Sequence, residues 1–126
     1  MPGSVMYGLR GRWCALSLLA LALLCSSGCE TDSFRHNPPP GQGSLIVDNQ
    51  TWDRLEVFVD GSETNRVGAY DYEYYDLDPL VYRVVLMGPS GRRSHRADLD
   101  ILEGRKTVMR VRWRDDYNYS VSIYFD

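Results

Sequence analysis

Cysteine is scarce in this 126-residue chain, and none occurs after position 29. The three cysteines lie at positions 14, 25 and 29, within or just after an apolar N-terminal run. If that run is removed during export, a single thiol remains, and one thiol cannot close an intramolecular disulfide. The folded part of the protein is therefore expected to be stable without a disulfide.

Histidine is almost as rare, with only His36 and His95 in the chain. Nucleophilic catalysis requires a base beside a hydroxyl or thiol, and Ser94 cannot pair with His95 because successive strand residues point to opposite faces. His95 is predicted to be a partly buried structural residue beside Ala97, and His36 to be solvated. The same shortage of ligands disfavours zinc. We predict no enzymatic activity, no metal and no cofactor.

A long apolar run is also missing. The longest, Trp13 to Cys25, has 13 residues. As a helix it would span about 20 Å, against a hydrocarbon core of about 30 Å, so it is too short to cross a membrane. Arg10 and Arg12 precede it and Ser26-Ser27-Gly28 follow it, which is the order of a secretory signal. Residues 1–28 are predicted to be a signal peptide.

Ser26-Ser27-Gly28-Cys29 resembles the lipobox of bacterial lipoproteins, although the family usually has leucine where Ser26 stands. The resemblance implies that Cys29 receives a diacylglyceryl group and becomes the N-terminus, so that fatty acyl chains such as palmitate anchor the protein to a membrane. Two or more acyl chains anchor a protein stably, whereas one does not. Glu30, in place of aspartate, favours the outer membrane of the cell envelope, with the domain facing the periplasm or the surface.

Residues 29–43 are predicted to be the acylated cysteine followed by a tether. Pro38-Pro39-Pro40 favours an extended polyproline conformation, and the glycines at 41 and 43 restore flexibility. The tether would hold the following domain away from the membrane.

The remaining residues, 44–126, suffice for one small domain. They are rich in valine, tyrosine and isoleucine and show no sustained 3.6-residue period, which favours strands over helices. We predict strands at 44–49, 54–60, 64–68, 72–77, 81–87, 94–101, 106–114 and 119–125. Turn residues such as Asp60-Gly61 and Asp115-Asp116 separate them. The prediction is a small antiparallel all-β sandwich of about seven or eight strands.

Alternation along the strands predicts which side chains face the core. The inward residues expected from it are Leu55, Val57, Val59, Tyr75, Leu77, Tyr82, Val84, Leu86, Ala97, Leu99, Ile101, Met109, Val111, Trp113, Tyr119, Val121, Ile123 and Phe125.

The first half of this domain also resembles small bacterial surface modules of the PEGA-like kind, which are related in shape to transthyretin-like sandwiches. The resemblance is carried by Ser44 to Asn49, by Val57-Phe58-Val59-Asp60-Gly61 and by Leu77 to Val84. The proline–glycine pair that the family has in the last of these is replaced by Asp78-Pro79-Leu80. The resemblance implies a non-enzymatic module that adheres, spaces or binds glycan.

Arg110, Arg112 and Arg114 alternate with inward residues and therefore form an arginine ladder on one outward face. If residues 103–105 form a hairpin loop, Asp98 lies opposite Arg110 and Asp100 opposite Val108, which makes cross-strand pairing one explanation of the ladder. The other explanation is a site for an anionic polymer such as peptidoglycan or lipopolysaccharide, because arginine grips carboxylates and phosphates with a paired fork.

Tyrosines are concentrated around the strand at 72–77. Tyr72 and Tyr74 are predicted to face outward, and Phe58, also outward, is predicted to extend the aromatic patch. Exposed aromatic rings can stack on sugars or form a protein interface, and tyrosine ladders can also be purely structural. Both readings remain open.

Acidic residues crowd the same strand, namely Asp71, Glu73, Asp76 and Asp78. They are read as a solvated edge that discourages aggregation, with calcium binding as the alternative. Without Arg10 and Arg12, two of its 14 basic residues, the chain has 12 basic and 17 acidic side chains, hence a net charge of −5, which argues against nucleic acid as a partner.

These features together predict a lipid-anchored cell-envelope lipoprotein whose β-sandwich is a non-catalytic binding or structural module. Its expected partners are the membrane, through the N-terminal lipid, and peptidoglycan, another polysaccharide or an anionic envelope polymer. The alternative is an accessory subunit that docks a protein partner in an envelope complex.

Overall fold

The structure is a computed structural model that describes residues 34–91 and 93–126. The predicted signal peptide, the lipobox and Cys29 lie outside these residues. The described part contains a short 3₁₀ turn at Pro89–Gly91 and eight strands, namely β1 (Gly43–Asn49), β2 (Glu56–Val59), β3 (Ser62–Glu63), β4 (Tyr72–Leu77), β5 (Val81–Met87), β6 (Ser94–Asp100), β7 (Lys106–Trp113) and β8 (Tyr119–Phe125). Among these residues, no helix has the length and hydropathy that a membrane crossing requires.

The strands form two four-stranded sheets, which confirms the predicted all-β sandwich. The first sheet has the order β4-β1-β7-β8, and the second has the order β3-β2-β5-β6. All pairs are antiparallel except β1 with β7, which run parallel with Leu45 opposite Thr107. The parallel pair departs from the antiparallel prediction, because alternation shows which face of a strand is buried but not which strand lies beside it.

Most of the predicted strands are present, but the strand expected at 64–68 is wrong. The chain turns at Asp60-Gly61, where both residues have positive φ (49° and 82°), as a type I′ hairpin turn requires. This turn starts β3 at Ser62, and β3 ends after two residues. Thr64 then directs both its N–H and its hydroxyl to the Val57 carbonyl, at 2.8 and 2.9 Å. Val67 makes only an isolated bridge to Leu55.

The main core lies between the sheets and consists mainly of the predicted inward side chains. The fully buried ones include Leu55, Val57, Val84, Leu86, Met109 and Val111. Leu45, Val47 and Val67, for which no orientation was predicted, are also fully buried in this core. Tyr75, Leu77, Tyr82, Ala97, Trp113 and Val121 are partly buried against them. The alternation in β2, β5, β6 and β7 is thereby confirmed.

The C-terminal half of β8 departs from its predicted orientation towards the core. Tyr119 is buried, but Ile123 and Phe125 are 46% and 52% exposed. β8 is the outermost strand of the first sheet, and the facing sheet leaves its last residues uncovered. Alternation predicts the side on which a residue lies, but not whether the opposite layer extends that far.

A second, smaller core lies on the outer side of the first sheet. Phe34 is 4% exposed and packs on Ile46 and Val108, with Tyr124 at the margin. The Lys106 ammonium donates a hydrogen bond to the Phe34 carbonyl at 2.9 Å. This differs from the tether predicted over residues 29–43, because residues 34–43 lie on the sandwich and belong to its compact unit. We call residues 34–38 the N-terminal strap.

Candidate functional site: the outer face of the first sheet

Alternate residues of β4, β1, β7 and β8 form the outer face of the first sheet. In one row across it, Tyr72 lies opposite Asp48, Asp48 opposite Arg110, and Arg110 opposite Ser122. The arginine ladder and the tyrosine strand therefore share one face, with only β1 between them. Their sequence positions, more than 30 residues apart, gave no indication of this proximity.

Arg110 is held in place by a carboxylate of the neighbouring strand. Its Nε donates to Asp48 Oδ2 at 2.8 Å, and its guanidinium carbon lies 5.2 Å from the centre of the Tyr124 ring. The hydrogen bond to Asp48 raises the pKa of Arg110 above its ordinary value. Arg110 is therefore a positioned, largely neutralised charge stacked on an aromatic ring.

The prediction that Asp98 lies opposite Arg110 is wrong, and so is the prediction that Asp100 lies opposite Val108. Strand β6 belongs to the second sheet and β7 to the first, so the loop between them crosses from one sheet to the other and is not a hairpin. Asp98 instead accepts a hydrogen bond from Arg83 Nε on β5, at 3.0 Å. Arg83 lowers the pKa of Asp98, chiefly through this hydrogen bond.

Arg112 has a different environment. Its Nε donates to Gln50 Oε1 at 2.8 Å, and Gln50 donates in turn to Asp48 Oδ2 at 3.2 Å. Within residues 34–91 and 93–126, no carboxylate lies within ion-pair distance of Arg112. Arg114 follows the end of β7 and is exposed. Arg112 and Arg114 thus present positive charge to solvent.

The outward tyrosines contact the N-terminal strap. Tyr72 meets the edge of Phe34 with ring centres 5.0 Å apart, and Tyr74 stacks on His36 at 3.6 Å. Tyr72 is 39% exposed and Tyr74 46%. The outward orientation is confirmed, and part of each ring serves to hold the chain's own segment.

His36 is not the solvated residue that was expected. Its side chain is 20% exposed, and its Nε2 lies 2.7 Å from Asp76 Oδ1. The same carboxylate oxygen accepts a hydrogen bond from the Ser44 hydroxyl at 2.6 Å. Asp76 therefore fastens the strap to the edge of the sheet.

Phe58 does not extend the tyrosine patch. It lies on β2, opposite Glu63 and Val85, and so belongs to the second sheet, whose outer face is on the other side of the sandwich. Its outward direction along β2 was predictable, but the sheet to which β2 belongs was not.

The acidic residues in and beside β4 do not converge on one site. Asp76 binds the strap, Asp71 accepts the Tyr72 N–H at 2.8 Å, and Asp78 accepts the Gln42 amide at 3.4 Å. Where the chain is described, no three His, Cys, Asp or Glu residues converge as metal ligands would. His95 is half-buried on β6, and burial lowers its pKa.

One cluster escaped the sequence analysis altogether. Asp53, 6% exposed, accepts hydrogen bonds from the Tyr119 hydroxyl at 2.7 Å and from Arg93 at 2.8 Å. Its neighbour in the chain, Trp52, is exposed and contacts Trp113. The partners of Asp53 are separated from it by 40 and 66 residues. The one sequence feature that pointed to this cluster was a large aromatic residue, Trp52, between the polar residues Thr51 and Asp53.

Comparisons with known proteins bear on the fold. No family model matches the chain, and no curated protein matches it. Two similar solved structures are the N-terminal and C-terminal domains of AlgF from P. aeruginosa. The N-terminal domain is 13% identical, with a TM-score of 0.51 over 68% of this chain and 95% of that one. The C-terminal domain is 13% identical, with a TM-score of 0.56 over 68% and 99%. At this identity the similarity supports the sandwich fold alone.

Proposed function

We propose that the protein is a lipid-anchored protein of the cell envelope whose β-sandwich performs no catalysis and binds an anionic glycan or polymer. The observation that supports this best is the pair Arg112 and Arg114. Both are exposed and border the aromatic and polar outer face of the first sheet, and no carboxylate among the described residues pairs with Arg112. We call Arg112 and Arg114 the positive patch. Asp115 and Asp116 follow Arg114 directly and are exposed as well, so Arg112 is the less compensated of the two charges.

The chemistry of the patch suits carboxylate or phosphate groups spaced along a polymer. A guanidinium binds such groups with two parallel hydrogen bonds, which a lysine ammonium cannot do. Arg110 keeps one flank of the patch fixed through Asp48 and Tyr124. Arg112 is also restrained by its hydrogen bond to Gln50, so that part of the side-chain entropy that binding costs is already lost in the free protein.

In this proposal Cys29 carries the acyl chains, and the domain lies close to the bilayer. The sandwich begins at Phe34, so that four residues, 30–33, and hence five Cα–Cα steps separate it from Cys29. At about 3.5 Å per residue these span at most roughly 18 Å. The whole of a tether extending to residue 43 would allow about three times that distance. The outer membrane, with the domain facing the periplasm or the surface, is the location that fits the Glu30 sorting position.

An accessory subunit that docks a protein is the second candidate function. It is favoured by Ile123 and Phe125, which are exposed on the edge strand β8. An edge strand with free backbone groups and apolar side chains can accept a strand from another protein.

Co-sedimentation with protein-free peptidoglycan sacculi tests the first candidate against the second. We expect the chain to be retained on sacculi and the Arg112→Gln/Arg114→Gln variant to lose most of that retention. Arg96→Gln is the matched control, because Arg96 is an exposed arginine on β6 of the other sheet. The accessory role would be supported instead if retention required co-purified envelope proteins and if the Ile123→Thr/Phe125→Thr variant lost that retention.

A further inference from the structure

Two exposed aromatic residues lie at the end of the sandwich where β1 stops. Trp52 is 67% exposed and Tyr70 is 66% exposed. They belong to different loops, which are joined because the Tyr70 N–H donates to the Thr51 carbonyl at 3.0 Å. We call Trp52, Tyr70 and Trp113 the aromatic end.

A single buried side chain holds both loops. Asn49 is fully buried, and its Nδ2 donates to the carbonyls of Asp53 and Gly68 at 2.7 and 2.9 Å. Its Oδ1 accepts both the N–H and the hydroxyl of Thr51, at 3.1 and 2.6 Å. The loops that carry Trp52 and Tyr70 are therefore rigid, and large exposed rings on rigid loops lose little conformational entropy on binding.

Tyr70 adds a second unusual feature. Its φ is +52°, in the left-handed region that residues with a side chain rarely adopt. Such conformations cost free energy and recur at functional sites. The exposed tyrosine side chain contributes little burial to offset this cost, so the loop's hydrogen bonds to Thr51 and Asn49 must hold the conformation.

Polar groups stand beside the rings. Trp52 lies 4.3 Å from Trp113 between ring centres, at 41°, and the Arg93 guanidinium lies 4.4 Å over the Trp113 ring. Arg93 is fixed by Asp53 and by the Asp116 carbonyl, at 2.8 and 2.7 Å. The Trp113 Nε1 is buried and lacks a hydrogen-bond partner in the described chain.

We propose that the aromatic end binds a sugar ring of a glycan chain, with Trp52 as the stacking surface. A pyranose has one face of C–H groups and a rim of hydroxyls, so it requires an aromatic plane with polar groups at its border. The Arg93 guanidinium has five N–H donors, and Asp53 and Asp116 accept from two of its nitrogens. A sugar hydroxyl can accept from the N–H groups that remain, whereas a bilayer or an apolar protein surface offers them no acceptor.

Trp113 lies between Arg112 and Arg114 in the sequence, but its ring packs on the opposite side of the sheet, against the main core. The aromatic end and the positive patch are therefore separate surfaces near the same end of β7. The inference rests on the proposed function for its ligand class, a glycan.

Titration of the purified full chain with uncharged tetrasaccharides, β-1,4-linked and α-1,4-linked, tests the inference by isothermal titration calorimetry, which does not depend on the tryptophan that the variants remove. We expect saturable binding to at least one of them and a loss of at least about tenfold in affinity for Trp52→Ala, the size of effect found when a stacking ring is removed. Trp52→Phe should retain most of the affinity. The control is Leu80→Ala, which removes a similarly exposed apolar side chain, 60% exposed, from the opposite end.

The outcomes separate this inference from the proposed function. Because the tetrasaccharides carry no charge, Arg112→Gln/Arg114→Gln should bind them with unchanged affinity even if it no longer binds sacculi. The inference is overturned if Trp52→Ala binds as tightly as the natural chain, or if neither tetrasaccharide binds up to about 10 mM. It is likewise overturned if Trp52→Ala abolishes binding only to lipid vesicles or to a protein. An unchanged urea midpoint for Trp52→Ala will establish that the variant is folded.

Discussion

Asp53 illustrates how much one buried carboxylate can contribute in this protein. It is 6% exposed and is the common acceptor for the Tyr119 hydroxyl and the Arg93 guanidinium. Asp53→Ala would leave a half-buried guanidinium without a counter-charge and a buried hydroxyl without an acceptor. We expect a loss of about 1–3 kcal/mol in the free energy of unfolding, measured by urea denaturation. Asp98→Asn removes the charge of an exposed ion pair with Arg83 and should change the free energy of unfolding little. Equal effects of the two substitutions would contradict this assignment.

Tyr119 gives the stability a dependence on alkaline pH. Burial, together with its hydrogen bond to Asp53, raises the pKa of Tyr119 above its ordinary value. In the unfolded chain the hydroxyl loses its proton at about pH 10, whereas in the folded chain the hydroxyl keeps its proton to higher pH. The contribution of Tyr119 to the free energy of unfolding is therefore complete below about pH 10 and falls as the pH rises further. Urea midpoints between about pH 9 and 11 should show a smaller decline for Tyr119→Phe, and the same decline in both proteins would refute the linkage.

At the scale of secondary-structure elements, the N-terminal strap is the feature whose stability contribution is easiest to test. Phe34 fills the outer core over Ile46 and Val108. Phe34→Ala should lower the free energy of unfolding by about 3 kcal/mol, because a buried ring is lost and a cavity remains. Arg35→Ala, at the exposed neighbouring position, should stay within about 0.5 kcal/mol of the natural chain. If both variants unfold alike, the segment is a free tether.

The buried faces of the strands could be predicted from the sequence, whereas the cover that the N-terminal strap provides could not. Alternation along β2, β5, β6 and β7 was enough to predict their buried faces, since one face of each meets the main core. The strand at 44–49 was predicted, but not that Leu45, Ile46 and Val47 are all fully buried, so that both faces of β1 are covered. Nothing local in the sequence connects Phe34, which covers the outer face, with this strand.

For the candidate site, the hydrogen-bond partners on neighbouring strands were harder to predict than the outward direction of the side chains. Arg110 was placed correctly on an outward face, but its acceptor Asp48 is 62 residues away on a parallel neighbour. The expected acceptor, Asp98, depended on a hairpin that the chain does not form. Register within one strand follows from side-chain pattern, whereas strand order depends on how the entire chain packs.

At the scale of the whole molecule, the anchor can be tested by changing one atom. Cys29→Ser removes the sulfur that the proposal assigns to acylation, so the expressed protein should lack the lipid mass and leave the membrane fraction. Ser27→Ala, which keeps a small residue near the predicted cleavage site, should behave as the natural chain does. Mass spectrometry of the mature N-terminus measures whether each variant carries the lipid mass. An unmodified thiol at Cys29 in the natural chain would rule out the anchor.

The central claim is that exposed arginines of the first sheet bind an anionic polymer, and the salt dependence of binding to protein-free sacculi tests it most directly. Affinity should fall as salt rises through about 0.05–0.3 M, since bound counterions and screening compete with ion contacts. Arg112→Gln/Arg114→Gln should bind more weakly and with a clearly shallower salt dependence, while Arg96→Gln follows the natural chain. Identical salt dependence for all three proteins would contradict the claim.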